Sequence, residues 1–320
     1  MRTDQRAYEL LDFQPTITDL RMEVLDGLRR QQKRLDCKLL YDERGSTLFE
    51  EITTLPEYYP TRAEMEILRQ HAKDIAACIG EKSALIELGS GSGKKVRLLF
   101  SKLPDPVAYM AVDISKEFLK MSAEGLAGEH PGLKVVAICA DYTQPFELPH
   151  LPAKKVLFFP GSTFGNFDPP QGQRFLSRWS RMLAKGDGLL IGIDLKKSSD
   201  VLHSAYNDSA GVTAAFNLNL LARLNRELGA DFQLHRFEHY AFYNEFESRI
   251  EMHIRSREDQ VVTIGNVPIH FHVGESIHTE NSYKFSAHSF HDLAKKSGFS
   301  PVQVWTDSAG LFSVHYLEVD

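Results

Sequence analysis

Apolar runs alternate with helix-like segments along the middle third of the chain, from about residue 84 to residue 195. Each run has the length of a buried strand, and the segments between consecutive runs have helical spacing. The runs are ALIEL (84–88), PVAYMAV (106–112), LKVVAICA (133–140), KKVLFFP (154–160) and DGLLIGID (187–194). Buried strands that alternate with helices are typical of a parallel sheet covered on both faces. The pattern therefore predicts a doubly wound α/β fold.

The pattern changes after residue 195. A long helical stretch at 201–228 precedes three runs with the period-two alternation of strands, QLHRFEHYAFY, SRIEMHIRSR and VVTIGNVPIHFHV. We expect these four elements to form an insertion with a core of its own. The chain then returns to helix at HSFHDLAKKSGF, and two last runs, joined by the turn SAG, predict an antiparallel hairpin that completes the first sheet.

These changes predict two domains. The first comprises residues 61–195 and 286–320 and contains the parallel sheet. The second comprises the insertion, residues 196–285, together with residues 1–60, which precede the first predicted strand and must pack elsewhere. The second domain is therefore expected to be of α+β type.

Composition and charge exclude several classes of function. The chain has 320 residues and a net charge of -6, without a run of Lys or Arg, which argues against a nucleic-acid partner. Cys37, Cys78 and Cys139 are far apart and indicate neither a disulfide framework nor a thiolate metal site. No stretch has the length of a membrane span and the N-terminus lacks a signal-peptide pattern, so we expect a cytoplasmic monomer that acts on a small molecule.

The stretch LIELGSGSGKK places a glycine turn between the first predicted strand and a helix, as nucleotide sites do. Its spacing does not match either of two common nucleotide-binding motifs. A phosphate-binding loop needs one more residue between Gly89 and Gly93, and a hydroxyl where Lys95 stands. A dinucleotide fold needs a third glycine where Lys94 stands. A flexible turn without a ligand remains the alternative.

An acid at the strand end followed by Gly-x-Gly, from Glu87 to Gly91, resembles the first motif of class I S-adenosylmethionine-dependent methyltransferases. Asp113 and Asp141 end the next two strands, where such sheets bind ligands. Either acid alone could equally cap a helix, but together they favour the cofactor. The predicted cofactor-binding residues are Gly89, Ser90, Gly91, Lys95, Asp113, Asp141 and Tyr142. In this scheme Lys95 lies near the cofactor carboxylate, with a solvated basic helix face as its alternative.

Four longer stretches make a closer match. They are KLLYDERGSTLFEEITTLPEYYPTRAE (38–64), PGSTFGNFDP (160–169), AYNDSAGVTAAFN (205–217) and HTENSYKF (278–285). In this order they resemble the histidine α-N-methyltransferases that begin ergothioneine biosynthesis by trimethylating histidine to hercynine. The resemblance spans nearly the whole chain. It implies a Rossmann-like cofactor sheet, S-adenosylmethionine as cofactor, L-histidine as substrate, and a second lobe that closes over the amino acid.

The resemblance also assigns residues to the reacting end of the substrate. Asn166 and Tyr206 would bind its carboxylate, while Gly161 and Tyr41 would lie near the α-amine. Asn166, Tyr41 and Gly161 are accordingly the predicted catalytic residues. An amide such as that of Asn166 can donate to a carboxylate and accept from an amine, which suits a zwitterion. Without the resemblance, Asn166 would be an ordinary turn asparagine.

The imidazole end is assigned in the same way. Glu280, Ser282 and Tyr58 would recognise the ring, and Phe49 and Met252 would form apolar walls. A carboxylate that accepts from an imidazole N–H in a desolvated pocket makes a strong and selective hydrogen bond. The alternatives are a solvated carboxylate for Glu280 and a plain core position for Met252.

The chemistry that this implies is in-line displacement at the sulfonium methyl by a neutral amine, repeated three times, with no metal. A sequence that resembles a zinc site, His235 to His239, alternates with period two, and residues four apart on a strand cannot share one ion. The alternatives are methylation of another aromatic amino acid, a cofactor-binding module without turnover and, more distantly, a nucleotidase.

Overall fold

Within residues 8–13, 17–91 and 93–320, which the computed structural model describes, there are fourteen strands and ten α-helices. The strands are β1 (Glu9–Asp12), β2 (Lys33–Arg34), β3 (Ala84–Leu88), β4 (Ala108–Asp113), β5 (Lys134–Cys139), β6 (Lys155–Phe159), β7 (Gly188–Asp194), β8 (Phe237–Asn244), β9 (Arg249–Ser256), β10 (Gln260–Ile264), β11 (Val267–Phe271), β12 (Ser276–Tyr283), β13 (Phe299–Thr306) and β14 (Phe312–Val319). The helices are α1 (Ile17–Leu28), α2 (Glu43–Ile52), α3 (Tyr59–Gln70), α4 (Ala72–Ile79), α5 (Lys94–Phe100), α6 (Lys116–Glu129), α7 (Pro169–Met182), α8 (Ser199–Tyr206), α9 (Val212–Leu228) and α10 (Ala287–Lys295).

The first unit of the fold is built on an eight-stranded sheet and comprises, among the described residues, 8–13, 60–91, 93–196 and 284–320. Its strand order is β1-β5-β4-β3-β6-β7-β14-β13. The six strands from β1 to β7 in this order are parallel, and β14 pairs antiparallel with both β7 and β13. The doubly wound sheet and its final antiparallel hairpin were both predicted, and both are confirmed.

The two faces of this sheet explain why its strands are continuous apolar runs. Leu85 of β3 and Tyr109 of β4 lie in one buried cluster with residues of α3 to α6, whereas Ile86 and Met110 lie in a second cluster with residues of α7 and α10. A strand covered by helices on both faces is expected to carry apolar side chains at nearly every position.

The second unit comprises, among the described residues, 17–59 and 197–283. Its four-stranded sheet has the order β2-β12-β9-β8, and β10 and β11 form a separate hairpin. Helices α8 and α9 pack against the sheet. The alternation of buried strands with helices thus ends after residue 195, where the chain forms a mostly antiparallel sheet with helices. This is the α+β type that was expected.

One boundary expectation is wrong, because part of residues 1–60 lies in the first unit. Strand β1 pairs in parallel with β5, with Leu10 opposite Ala137 and Leu11 opposite Ile138. Leu10 and Leu11 pack against the two core clusters, one on each face of the sheet. This apolar pairing draws the segment to the sheet edge. Residues 1–7 and 14–16, which also belong to the expected second domain, lie outside the described residues.

Three expectations for local structure are also corrected. No helix joins β5 to β6, because Pro145, Pro149 and Pro152 interrupt the connecting segment. The long helical stretch at 201–228 is two helices, and the Asp208 carboxylate accepts from the first two backbone N–H groups of α9. Strand β12 was not predicted, because its polar sequence, SIHTENSY, lacks the apolar alternation of a half-buried strand.

We predict that loss of the N-cap of α7 destabilises the first unit. The Asp168 carboxylate accepts from the backbone N–H of Gln171 at 2.8 Å, and the Gln171 side chain accepts from the N–H of Asp168 at 3.0 Å. Asp168→Ala should cost about 1 kcal/mol of unfolding free energy and about 2–4 °C of melting temperature. Asp168→Ser keeps a capping oxygen and should lose less in calorimetry. Equal losses would contradict the capping role.

Candidate active site

The glycine turn after β3 is fastened to the end of β4. The backbone N–H of Gly91 donates to Asp113 Oδ2 at 3.1 Å, and that of Ser115 donates to Asp113 Oδ1 at 2.8 Å. Gly89 and Gly91 have φ of 69° and 47°, in the left-handed region that favours glycine. Burial raises the pKa of Asp113, and the hydrogen bonds from Ser115 and Gly91 oppose that shift. Ser92 lies outside the described residues.

The turn has the properties of a cradle for S-adenosylmethionine. Among the described residues outside its chain neighbours, a Cβ added to Gly89 would meet within 4 Å only the ring of Tyr142, at 4.0 Å, which leaves room for a ligand beside the backbone. The hydroxyl of Ser90 is buried and has no hydrogen-bond partner among the residues that the structure describes. The Asp113 carboxylate accepts from the backbone N–H groups of Ser115, Gly91 and Ile114 and, with two lone pairs on each oxygen, can accept a further hydrogen bond. The residues present therefore fit the cofactor.

The segment after β5 is held by a residue that the sequence did not reveal. Arg178 of α7 donates to the carbonyl oxygens of Tyr142 and Thr143. Asp141 Oδ1 accepts from the backbone N–H of Thr143 at 2.9 Å, and the Tyr142 ring packs edge-on against Phe159, with ring centroids 5.5 Å apart. The two predicted residues Asp141 and Tyr142 are thus fixed in place by α7 and β6.

A second unpredicted residue, Glu64 of α3, joins two predicted ones. Its carboxylate lies 2.6 Å from Lys95 Nζ and accepts the backbone N–H of Gly161 at 2.8 Å. Glu64 is fully buried, whereas the Lys95 side chain is 23% exposed. Glu64 lies outside the glycine motif and ends the family-like stretch 38–64, and its signal in the sequence is a carboxylate among the buried apolar residues Ala63, Ile67 and Leu68.

Asn166 ends a 3-10 turn, Thr163–Asn166, that follows β6. The buried ring of Phe164 packs edge-on against Phe290, with centroids 5.6 Å apart. It also lies so close to Gly172 of α7 that an added Cβ there would be 3.0 Å from the ring. This aromatic anchor fixes the turn, so Asn166 and Gly161 occupy two defined positions in one short loop of the first unit.

The remaining predicted substrate residues lie in the second unit, where five aromatic rings form one continuous cluster. Tyr41 contacts Phe49 and Phe216 edge-on, each with a centroid distance of 5.5 Å. Phe49 contacts Tyr58 at 6.3 Å, and Tyr58 contacts Tyr206 at 6.4 Å. Sequence reasoning identified four of these rings and missed Phe216, which in α9 looks like an ordinary core position.

This cluster continues to β12 through a hydrogen bond. The hydroxyl of Tyr206 donates to Ser282 Oγ at 2.7 Å. Glu280 is two residues from Ser282 along the strand and is paired with Met252 of β9. Since paired residues and residues two apart share a sheet face, Glu280, Ser282 and Met252 lie on the same face. The structure therefore brings together the residues predicted for the imidazole.

A β-bulge sets which face Glu280 occupies. His278 pairs with His253 and Glu280 pairs with Met252, so Thr279 is the extra residue. The Thr279 hydroxyl lies 2.7 Å from Asn217 Oδ1 and 3.1 Å from the carbonyl oxygen of Met252. Without this bulge, Glu280 would share a face with His278.

Asn217 of α9 is fully buried and supports the bulge. Its amide nitrogen lies 2.9 Å from His239 Nδ1 and donates to the carbonyl oxygen of His253 at 2.9 Å. His239 Nε2 lies 2.9 Å from the carbonyl oxygen of Tyr206, so both ring nitrogens have partners. His235 lies in a 3-10 turn and His239 in β8, which is not the helix that a zinc peptidase motif requires.

The opposite face of the same sheet holds three buried groups, Glu251, His253 and His278, whose ligand-type atoms lie within 4.8 Å of one another. The two imidazoles are stacked, with centroids 4.6 Å apart and planes at 12°. Imidazole lone pairs lie in the ring plane, so stacked rings do not converge on one ion. The hydrogen bond with His253, and those from Arg249 and Asn244, hold the pKa of Glu251 well below its usual range, while burial beside His253 lowers the pKa of His278 to about 4.

The acid that begins the glycine motif is not solvent-accessible. Glu87 is completely buried in the centre of the sheet and shares a hydrogen bond with the hydroxyl of Tyr109. Burial raises the pKa of Glu87 to about 8, against the opposing effects of Tyr109 and Lys95. Glu87 is therefore protonated at neutral pH. It supports the glycine turn from within β3, the strand that leads into the turn.

The central strand order β5-β4-β3-β6-β7, with a glycine turn after β3, an acid at the end of β4 and another after β5, defines a class I S-adenosylmethionine-dependent methyltransferase. A family model described as histidine-specific, S-adenosylmethionine-dependent methyltransferase matches residues 20–319, and the chain belongs to this family.

Three relatives illustrate the range of the similarity. The histidine N-alpha-methyltransferase of Mycolicibacterium smegmatis is 41% identical over 92% of this chain and 93% of that protein. The ergothioneine biosynthesis protein 1 of Neurospora crassa is 30% identical over 90% of this chain but only 34% of its own length. The L-tryptophan methyltransferase trpM of Psilocybe serbica is 28% identical over 90% of this chain and 89% of that protein.

Within the part of the chain that the structure describes, no helix has both the length and the apolar character needed to cross a bilayer.

We predict that Glu87 makes stability fall as pH rises. Because its folded pKa, about 8, exceeds the ordinary glutamate pKa of 4.5, the folded state holds a proton that the unfolded state releases. This contribution is full below pH 4.5 and is lost as pH rises through 8. The limiting slope is about 1.4 kcal/mol per pH unit.

Urea unfolding of the wild type and Glu87→Gln between pH 5 and 9 measures this effect. The amide variant should lack the slope, so its stability relative to the wild type should rise with pH. Glu117→Gln, at an exposed position of α6, is the control and should follow the wild type. Parallel curves for Glu87→Gln and the wild type would show that Glu87 is ionised in the folded state.

Proposed function

We propose that this protein transfers three methyl groups from S-adenosylmethionine to the α-amino group of L-histidine, giving hercynine, the first step of ergothioneine biosynthesis. The observation that carries the proposal is the shared sheet face of Glu280, Ser282 and Met252 beside an aromatic cluster. Membership of a histidine-specific methyltransferase family supports it independently.

The first unit supplies the residues for the cofactor, which when bound provides an electrophilic methyl group. Asp113 would accept from ribose hydroxyls and Asp141 from the adenine amino group. The turn glycines leave room for close approach of the backbone. Lys95 would donate to the cofactor carboxylate, and Tyr142 would offer an apolar surface.

The second unit supplies the residues for the imidazole. Glu280 accepts a ring N–H, and Ser282, already fixed by Tyr206, offers a hydroxyl to the ring. Phe49 and Met252 exclude water, which strengthens a charged hydrogen bond. A ring without an N–H at this position would give the half-buried carboxylate of Glu280 no hydrogen bond from the substrate, which is the physical basis for selecting histidine.

The amine end of the substrate requires a neutral nitrogen. The N–H of Gly161 already donates to Glu64, so its carbonyl oxygen is the group left to accept from the amine. Asn166 and Tyr206 would hold the substrate carboxylate. The amine proton would be lost to water or through Tyr41, since Glu280 is occupied by the imidazole. Alignment in a dry pocket would then supply most of the rate enhancement.

Methylation of another aromatic amino acid is the second candidate. It is favoured by the similarity to an L-tryptophan methyltransferase, at 28% identity. The carboxylate of Glu280 argues for imidazole.

A cofactor-binding module without turnover would bind S-adenosylmethionine and methylate no amino acid. The cytoplasmic location and the monomeric state stay predictions from the sequence.

The first test is mass spectrometry of products formed from histidine, tyrosine and tryptophan with S-adenosylmethionine. We expect one, two and three methyl additions on histidine and none on the others. Trimethylation of tryptophan in preference to histidine would replace the proposed substrate while keeping the reaction. Cofactor binding without any methylated product would replace the reaction itself.

The role of Glu280 gives a second test. Glu280→Gln should lower kcat/KM for histidine by about 10–100-fold, because an amide is a weaker acceptor than a carboxylate. Affinity for S-adenosylhomocysteine should be unchanged. Glu238→Gln is the control, since Glu238 pairs with Arg255 on the opposite face of the same sheet. Unchanged histidine kinetics in Glu280→Gln would remove this residue from the imidazole site.

A further inference from the structure

We propose that Glu64 is a positioning residue for methyl transfer. It orients Lys95 toward the cofactor carboxylate and fixes the peptide of Gly161 next to the reacting amine. The proposal rests on the function proposed above for Lys95 and Gly161. Glu64 is the last residue of the family-like stretch 38–64, but the resemblance assigns no role to it.

The burial of Glu64 requires strong partners. The side chain has no exposed surface, and a carboxylate in such surroundings keeps its charge only when it is paired and hydrogen-bonded. Lys95 Nζ lies 2.6 Å from Oε2, and the N–H of Gly161 is shared between Oε1 and Oε2 at 2.8 and 2.9 Å. One ammonium and one peptide N–H thus hold the carboxylate from two different elements.

The pairing leaves Lys95 able to bind a second anion. An ammonium has three N–H donors, and Glu64 takes one of them. Lys95 lies in the first turn of α5, directly after the glycine turn, and its side chain is 23% exposed. Glu64 therefore acts as a fixed support that limits where the ammonium can lie.

Close packing from β7 prevents the carboxylate from moving. A Cβ on Gly192 would lie 2.6 Å from Glu64 Oε1 and 2.7 Å from the carbonyl oxygen of Gly161, which are closer than real Cβ contacts. Gly161 itself has φ of 76°, a conformation that favours glycine. The strand approaches because Gly192 has no side chain, and this approach fixes Glu64 and Gly161 together.

Asp187 offers a matched comparison. It is another buried carboxylate of the first unit, and it accepts the backbone N–H groups of Lys155 at 2.8 Å and Ala184 at 2.9 Å, with Lys155 Nζ at 4.0 Å. Asp187 immediately precedes β7, whereas Gly161 follows the carboxyl end of β6. The two acids have similar partners at opposite ends of the parallel strands, so only Glu64 should influence the cofactor.

The experiment compares Glu64→Gln, Lys95→Met, their double variant and Asp187→Asn in the full chain. Calorimetric titration with S-adenosylhomocysteine gives affinity without any turnover. Glu64→Gln should weaken binding about tenfold, as expected when a charge-assisted hydrogen bond is weakened. In the Lys95→Met background the same change should have little further effect. Asp187→Asn should lower the melting temperature and leave affinity within about twofold.

Kinetics with saturating amino acid and varied cofactor concentration separate the two contacts of Glu64. Glu64→Gln keeps an oxygen that can accept from Gly161, so kcat should fall little while KM for the cofactor rises. Glu64→Leu removes both contacts and should lower kcat as well. If the leucine variant does not fold, the glutamine variant and the double variant still decide the question.

Two results would overturn the proposal. The first is an equal loss of cofactor affinity on Glu64→Gln in the wild type and in the Lys95→Met variant. It would show that Glu64 does not act through the lysine. The second is a loss of cofactor affinity in Asp187→Asn as large as that in Glu64→Gln. It would show that the effect of Glu64→Gln comes from general destabilisation of the first unit. Both results can be read from cofactor binding alone, so they are independent of whether histidine is the substrate.

Discussion

The parallel register of β3 between β4 and β6 is the constraint on which the cofactor half of the site depends. It brings the carboxyl ends of three strands to one edge, so that residues far apart in the sequence meet there. The bond from Gly91 to Asp113 Oδ2 joins the turn after β3 to the end of β4. The glycine turn is therefore not an isolated loop. Its shape is set by the neighbouring strand, and a slip of register would separate the acid from the turn.

In the second unit a local irregularity has the corresponding role. A regular strand would place Glu280 on the same face as His278, among the stacked histidines and Glu251. The bulge at Thr279 moves Glu280 to the face of Met252, Ser282 and Tyr206 instead. Asn217 stabilises this irregularity from α9 through Thr279. Such a bulge re-aims one side chain without altering the hydrogen bonding of the rest of the sheet.

The sequence predicts the large sheet well because its strands are buried on both faces and are therefore continuous apolar runs. It does not predict β12, whose buried positions are polar and satisfied by long-range partners such as Tyr206 for Ser282. Strand β1 is missed because only four residues pair with the sheet edge. The predicted residues Asp113 and Lys95 follow from motif spacing. Glu64, Arg178 and Phe216 could not be found in this way, since each acts through a contact that exists only in the fold.

Three carboxylates near the glycine turn, of which Glu64 and Glu87 are buried and Asp113 is half-buried, show how one unit reduces the cost of removing charge from water in different ways. Glu64 is neutralised by Lys95, Glu87 keeps its proton because burial raises its pKa to about 8, and Asp113 is held by backbone N–H groups. If all three were ionised and unpaired, their repulsion would oppose folding. Pairing one and protonating another leaves Asp113 as the acid of the three with acceptor capacity for a ligand. The same distribution leaves Lys95 with donors for the opposite charge, so the needs of folding and of cofactor binding are met by the same few contacts.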